Sequence, residues 1–360
     1  MATIEELIRE MVERNGSDLH ITAGARPKIR VFGQLVDTDH DVLSPEDSQR
    51  LVYSLLGSDQ VARFEKNLEL DFSFGISGLG RFRTNVFRQR GAVGAVLRLI
   101  PYEVKGMGEL GLPEELCERL CSLPKGLILI TGPTGSGKST TLAAMIDFIN
   151  RTRHDHVVTV EDPIEFLHRN KNCLFNQREV GTDTHSFPDA LRAVLRQDPD
   201  IVLIGEMRDV ETIESALTIS ETGHLTFATL HTSDAVQTIN RIVDVFPSHQ
   251  QQQIRTLLSF TLQAVFCQQL IPTADGRGRV LACEIMVANS AIRSLIRDNK
   301  EHQIYSILQT SGKAGMRTMN RSLYELHSRG RITYDEAISR TTDPDDLRRM
   351  TQGAGARVSA

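Results

Sequence analysis

The sequence predicts a two-domain α/β protein: a mixed α+β N-terminal domain, then a C-terminal domain with a parallel sheet and a helical C-terminal portion. Three observations carry that expectation. At 360 residues the chain exceeds what one hydrophobic core usually organises. Between residues 126 and 230, short apolar runs alternate with helical periodicity, the mark of strands joined by crossover helices. A Gly- and Pro-rich stretch at 101–113 separates this region from the shorter strand patterns before it. The expected boundaries are therefore 1–101 for the first domain, 102–112 for a linker, 113–352 for the second domain and 353–360 for a disordered tail.

Taken in order, Ile4, Leu7, Ile8 and Met11 recur at helical spacing and predict an amphipathic helix. Short strands are expected at 18–21 and 28–31, with Gly33-Gln34-Leu35 as a turn. Leu51, Val52, Leu55, Leu56, Val61 and Phe64 give helical periodicity across 45–70, and strand patterns return at 71–74, 80–90 and 92–100. Beyond the linker, strands are expected at 126–131, 156–160, 201–204 and 225–230, with helices at 138–151, 187–196 and 210–221 between them. From Ala235 onward the pattern is mainly helical, apart from a hairpin around Asp275-Gly276-Arg277-Gly278.

Composition narrows the function classes. Net charge is −5 and Trp is missing, so neither a global basic field nor aromatic stacking platforms point to nucleic acid. No apolar run reaches the 18 residues of a membrane span, and no apolar signal-peptide core opens the sequence. A cytoplasmic protein is expected, meeting a membrane only through a partner. The five cysteines (Cys117, Cys121, Cys173, Cys267, Cys283) read as buried thiols in a reducing compartment.

The most specific signal is Gly132-Pro133-Thr134-Gly135-Ser136-Gly137-Lys138-Ser139-Thr140, set between an apolar strand and a helix. Glycines let the backbone turn its N–H groups onto an anion, and a helix N-terminus adds its positive dipole end. This is a P-loop for ATP, with Lys138 on the β- and γ-phosphates and Ser139 on Mg²⁺. The run 201–204 delivers Glu206 to the carboxyl edge of the sheet, where open α/β sheets bind ligands. Gly205 stands where an Mg²⁺-binding Asp is common, so the metal relies on Ser139, phosphate oxygens, water and Glu206. Glu161, Asp162 and Glu165 follow the 156–160 strand. One of them could orient the attacking water, and Asp162 could instead cap a following helix. His224 and His231 bracket the 225–230 strand, placed to sense the γ-phosphate or to serve as satisfied structural histidines. Arg81, Arg83, Arg88, Arg90 and Arg98 crowd one sheet region, either as a solvated face or as a source of arginine-finger charge. By parity Arg81 and Arg83 share one strand face, Arg88 and Arg90 the other.

Together GPTGSGKST, TVEDPIEF, RQDPDIVLIGEMRD and TGHLTFATLHT resemble the Walker A, Asp box, Walker B and His box of the type II and type IV secretion ATPases. Ser17–Gly24, Ile29–Leu35 and Gly80–Gly91 are similar to the N-terminal part of the retraction ATPases within that superfamily. Ala291-Ile-Arg-Ser-Leu-Ile-Arg-Asp298 resembles their AIRNLIRE motif, differing at Ser294 and Asp298. No four-cysteine zinc motif of the assembly ATPases is present in the sequence. The resemblance implies a PAS-like N-terminal domain hinged to a RecA-like ATPase domain, in a homohexameric ring with ATP between domains and neighbouring subunits. It also implies catalytic roles for Glu206, Glu161 or Glu165, His224, His231, Arg81 and Arg98. The implied activity is retraction of type IV pili for twitching motility. The implied partners are the inner-membrane platform protein and the pilus assembly ATPase machinery, at the cytoplasmic side of the pilus base. A nucleotide-gated binding module or a related secretion ATPase of low turnover is the alternative. The segment 291–298 predicts a helix whose Arg293 and Arg297 form a basic stripe for the partner.

Overall fold

A computed structural model describes residues 3–31, 33–76, 79–100 and 103–358 of the chain. It comprises two compact units that meet in sequence after Glu103.

The first unit contains α1 (Ile4–Glu13), β1 (Asp18–Ile21), β2 (Lys28–Val31), β3 (Gln34–Asp37), α2 (Pro45–Tyr53), α3 (Ser58–Asn67), β4 (Glu69–Ile76), β5 (Gly80–Gln89) and β6 (Ala92–Ile100). The strands form one antiparallel sheet in the order β3-β2-β1-β6-β5-β4. Leu7, Ile8 and Met11 of α1, Phe64 of α3 and alternate residues Phe82 and Val86 of β5 meet in its core. Thr3 and Glu6 close a reciprocal cap on α1, which fixes where that helix begins.

Three expectations are corrected here. The periodic stretch 45–70 is two helices, because the chain leaves helical geometry before Gly57, which restarts it as the N-cap of α3. Its last residues, from Glu69, belong to β4. Gln34 and Leu35 are strand, not turn: Gln34 pairs with Val31 across Gly33, whose φ of +84° makes the reversal. Arg90 leaves the strand as well, since Arg90 and Gly91 both have positive φ and form the two-residue turn between β5 and β6.

The second unit contains α4 (Glu114–Cys121), β7 (Gly126–Thr131), α5 (Lys138–Thr152), β8 (His156–Glu161), β9 (Leu174–Glu179), α6 (Phe187–Val194), β10 (Ile201–Ile204), α7 (Val210–Glu221), β11 (Leu225–Leu230), α8 (Ala235–Asp244) and α9 (Ser248–Thr261). It continues through β12 (Leu262–Pro272), β13 (Arg279–Val287), α10 (Ser290–Arg297), α11 (Ile304–Thr310), α12 (Met319–Ser328), α13 (Tyr334–Arg340) and α14 (Pro344–Val358). The sheet order is β13-β12-β7-β11-β10-β8-β9, parallel throughout except for the β12/β13 hairpin. Every residue of β7, β10 and β11 is buried, because helices cover both faces.

β9 and the full length of β12 and β13 depart from the expected pattern. The hairpin sits where Asp275–Gly278 suggested, but its strands are long and β12 joins the main sheet beside β7. α9 runs into β12 at Leu262 with no glycine or proline between, so nothing in the sequence marks the change.

Met107 and Leu112, inside the 102–112 stretch, are buried against α4 and α5 in the core of this unit, while Pro101 and Tyr102 lie outside the described residues. Of the expected tail at 353–360, α14 continues through Val358, and residues 359–360 lie outside the described residues. All five cysteines are free and buried. Burial pushes the thiols of Cys117 and Cys283 up to about 12. Among the described residues no helix is long and apolar enough to cross a membrane.

Candidate nucleotide site

β7 ends at Thr131 and the next six residues loop back to start α5 at Lys138. Gly132, Gly135 and Gly137 have φ of +140°, +78° and +90°, a region that L side chains rarely adopt. At Gly132 space is also decisive. A Cβ there would stand 2.4 Å from the carbonyl oxygen of Gln268 on β12 and 2.6 Å from Ser136 Oγ. α5 has no side-chain cap, so its first-turn amides remain available to an anion. Pro133, Thr134 and Gly135 form the exposed rim, Ser136 is buried, and Ser139 and Thr140 are half-buried on the first turn.

Lys138 Nζ donates to the carbonyls of Gly132 (2.8 Å) and Pro133 (3.1 Å). Burial lowers its pKa, against opposing pulls from the carboxylates of Glu206 and Glu165. Those carboxylates therefore stand near the lysine, as their position on one sheet edge requires. The cradle fits a phosphate chain. Among the described residues no group of three or more His, Cys, Asp or Glu gathers as a metal site. Mg²⁺ here would depend on nucleotide oxygens as well as Ser139 and Glu206.

Gly205 has a steric reason for replacing the usual Asp. Its N–H donates to Val160 O (2.8 Å), and a Cβ would sit 3.1 Å from Glu161 Cα. A side chain there would press on β8, which would have to give by a few tenths of an ångström. Thr229 Oγ1 donates to Gly205 O at 2.5 Å, which fixes the peptide leading to Glu206. Glu206 is largely shielded; its Oε1 accepts from Arg208 Nε at 2.8 Å, and its Oε2 lies 3.5 Å from His231 Nε2. Arg208 was not singled out from sequence, although its i, i+2 spacing from Glu206 beyond a strand end places both on one side of an extended chain.

His231 follows β11 on the same edge as the P-loop, as expected. His224 does not. It precedes β11, so it stands at the amino ends of the parallel strands, about 20 Å from the carboxyl edge at ~3.3 Å per residue. There Nδ1 of His224 faces Ile219 O at 3.0 Å. A strand has two ends, and only one of them meets its own P-loop.

Glu161 and Glu165 separate by environment. Burial raises the Glu161 pKa, opposed by hydrogen bonds from Thr159 Oγ1 (2.7 Å), Gln177 Nε2 (3.3 Å) and the amide of Glu165 (3.4 Å). Its carboxylate is thus occupied in holding the turn at 161–165, whereas Glu165 is exposed. Asp162 caps no helix, because the chain stays irregular after the cis Asp162–Pro163 bond.

The arginines lie in the first unit. Arg98 Nε donates to Asp18 Oδ1 at 2.7 Å, and Asp18 is almost fully buried. Burial works against the Asp18 charge, yet the hydrogen bonds from Ser17 and Arg98 outweigh it and the pKa is lowered. Arg83 stands directly opposite Arg98 in the β5/β6 register, and Arg81 is half-buried on the same strand face as Arg83. Arg88 is committed to Glu65 at 2.7 Å.

On α10, Ile292 and Ile296 are buried, but the expected basic stripe is divided. Arg293 turns back on its own unit and donates to Ser259 O (2.6 Å), Phe260 O (3.0 Å) and Gln263 Oε1 (3.1 Å). Only Arg297, whose nearest charge is Asp298 at 4.0 Å, remains turned outward.

Comparison with known proteins shows the family. The family model described as type II/IV secretion system protein matches residues 1–339. The chain is 49% identical over 344 residues to the type IV pilus retractation ATPase PilT of Pseudomonas aeruginosa, covering 96% of this chain and 99% of that one. It is 47% identical over 321 residues to a twitching motility protein of Neisseria gonorrhoeae, covering 89% of this chain and 86% of that one. Among solved structures it is similar to the pilus retraction motor PilT with bound ADP, with a TM-score of 0.91 and 51% identity over 97% of this chain and all of the other. A P-loop braced by β12, a shielded Glu206 on the same sheet edge and a match along nearly the whole length lead to one assignment: the chain belongs to the type II/IV secretion system protein family.

Proposed function

We propose that the chain is the ATPase motor of type IV pilus retraction, working as a homohexameric ring on the inner-membrane platform protein from the cytoplasmic side. Family membership makes it an ATPase. The retraction reading is supported by the likeness to the Pseudomonas motor along 96% of the chain. The observation that carries the chemistry is the gathering of Lys138, Glu206 and His231 on one sheet edge.

In this reading the backbone N–H groups between Thr134 and Thr140, with Lys138, hold the β- and γ-phosphates of ATP. Ser139 and Glu206 would hold Mg²⁺, which would supply charge neutralisation to the phosphates. Glu206 orients a water for in-line attack on the γ-phosphorus and takes its proton as ADP leaves. Arg208 and His231 hold its two oxygens, which keeps the carboxylate aimed. Between the two Asp-box glutamates, Glu165 is the better candidate to assist, since it is exposed while the buried Glu161 holds the turn at 161–165. Arg81 and Arg98 would add positive charge from the N-terminal domain to the nucleotide of a ring neighbour. Their distance in sequence from the P-loop makes this a matter of assembly.

The test is ATP hydrolysis and ATP binding by Lys138→Ala and Glu206→Gln, beside twitching of cells that carry each variant. Lys138→Ala should neither bind nor hydrolyse ATP while keeping its fold. Glu206→Gln should bind ATP and turn it over at least 100-fold more slowly, and both should abolish twitching. Turnover at the parent rate in a folded Lys138→Ala protein would refute the nucleotide site. Normal twitching with either variant would refute the retraction role.

A further inference from the structure

A buried carboxylate outside the P-loop edge bears on the placement of His231. Glu284 lies on β13, 4% exposed. In the register it sits opposite Cys267, which in turn pairs with Thr131, the residue before the P-loop. Two strand spacings therefore separate it from the nucleotide cradle, about 10 Å.

Its partners are the starts of two helices. Oε1 accepts from the amide of Ala235 at 2.9 Å, and the carboxylate also takes a hydrogen bond from the amide of Met319. These are the first residues of α8 and α12. In both helices the capping side chain serves a later amide: Asp234 takes Gln237 N and Thr318 takes Arg321 N. The first amide of each is thus left for Glu284, which satisfies both in a region without water access.

The start of α8 matters because only Thr232, Ser233 and Asp234 separate it from His231. Thr232 is itself tied to α8, its hydroxyl 2.7 Å from that of Thr238. His231 is thus held from two sides, by the end of β11 at Leu230 and by the first turn of α8 through Thr232. We infer that Glu284 is a positioning residue for His231: by capping α8 from β13, it sets the approach of the His231 imidazole to Glu206 and ties that approach to α12. The inference rests on the catalytic role of His231 proposed above.

The ionisation of Glu284 agrees with a coupled position. Burial and, less, the Asp234 charge raise its pKa, the amides of Ala235 and Met319 pull it down, and the net result is a pKa of about 7. Facing it are Asp234 from α8, Cys267 from β12, Cys283 from its own strand and Tyr305 from α11. The charged form accepts from both helix amides on free lone pairs; protonation converts one oxygen to a hydroxyl and weakens one cap.

The experiment measures steady-state hydrolysis of Mg·ATP by the full chain, at a temperature well below melting, for Glu284→Ala, Glu284→Gln, His231→Ala and the double variant Glu284→Ala/His231→Ala. Glu284→Ala should lower kcat about tenfold with KM within about twofold. Glu284→Gln, which keeps one acceptor, should match the parent at pH 6 and fall behind it at pH 8. In the His231→Ala background, Glu284→Ala should cost no more than about twofold further, because the two act as one unit. A full tenfold further loss in that background, or kcat of Glu284→Ala within twofold of the parent, would overturn the positioning role. Parent-like turnover of His231→Ala would refute the reading of His231 itself, and so the two failures are distinct.

Discussion

Arg293 is the residue at which the sequence expectation and the structure diverge most usefully. A charged donor makes three hydrogen bonds that close the C-terminal end of α9 and seize the side chain of Gln263. Gln263 in turn packs over Gly126, where a Cβ would lie 2.4 Å from Gln263 Cγ. Each hydrogen bond from a charged group contributes about 1.5–3 kcal/mol when its partner is left buried. The carbonyls of Ser259 and Phe260 end a half-exposed helix and would regain water, so the sum for Arg293→Ala is nearer ~2–4 kcal/mol. Arg297, 44% exposed with a charge partner only at 4.0 Å, should contribute below ~0.5 kcal/mol. At about 2–4 °C per kcal/mol for a domain of this size, Arg293→Ala should lower the melting temperature by roughly 10 °C and Arg297→Ala by about 1 °C. Circular dichroism melts of the full chain at one protein concentration measure both. Equal melting of the two variants, or a shift below about 2 °C for Arg293→Ala, would refute the clamp and restore the outward-facing stripe. Loss of twitching in Arg293→Ala is then expected from destabilisation alone, and Arg297→Ala becomes the cleaner probe of a partner contact.

Gly132→Ala should destabilise the chain by about 3 kcal/mol or more and remove ATP binding, because both φ and the Gln268 carbonyl exclude a methyl group; parent-like melting and ATP titration would contradict the bracing by β12. Arg98→Ala should cost about 1–2 kcal/mol by stripping a donor from buried Asp18. The sign with pH follows from the lowered Asp18 pKa: the contribution is present above the ordinary value of 3.8 and is lost as pH falls through the folded value. The parent and Arg98→Ala should therefore differ in urea stability at pH 7, and the difference should shrink as pH falls below 3.8. A constant difference across that range would disprove the pairing.

The P-loop could be located from sequence because its determinants are local: glycines at positive φ, one lysine, a strand before and a helix after. The strands 201–204 and 225–230 have the expected bounds for a similar reason, since Asp200 and Gly205 bracket the first and His224 and His231 the second. β12 was hidden because α9 passes into it without a breaker, and the preference of Leu262–Pro272 for strand is decided by pairing with β7 and β13. His224 was misplaced because hydropathy marks the extent of a strand and not which end faces the ligand. Arg208 and Glu284 show a further limit. Both are ordinary charged residues in sequence, and their significance comes from where a strand end or a helix start happens to be in space.

The five buried cysteines have a practical consequence for watching such a motor work. Thiol reagents attack the thiolate, and at pH 7 a thiol held near 12 is ionised in roughly one molecule in 10⁵. All five are covered by packed side chains besides. A cysteine introduced on an exposed position of either compact unit would therefore carry a fluorophore or spin label almost alone, without first rebuilding the core around five substitutions. Pairs of such labels, one on each unit, would turn the chain itself into a ruler for whether the distance between the units changes when ATP is added.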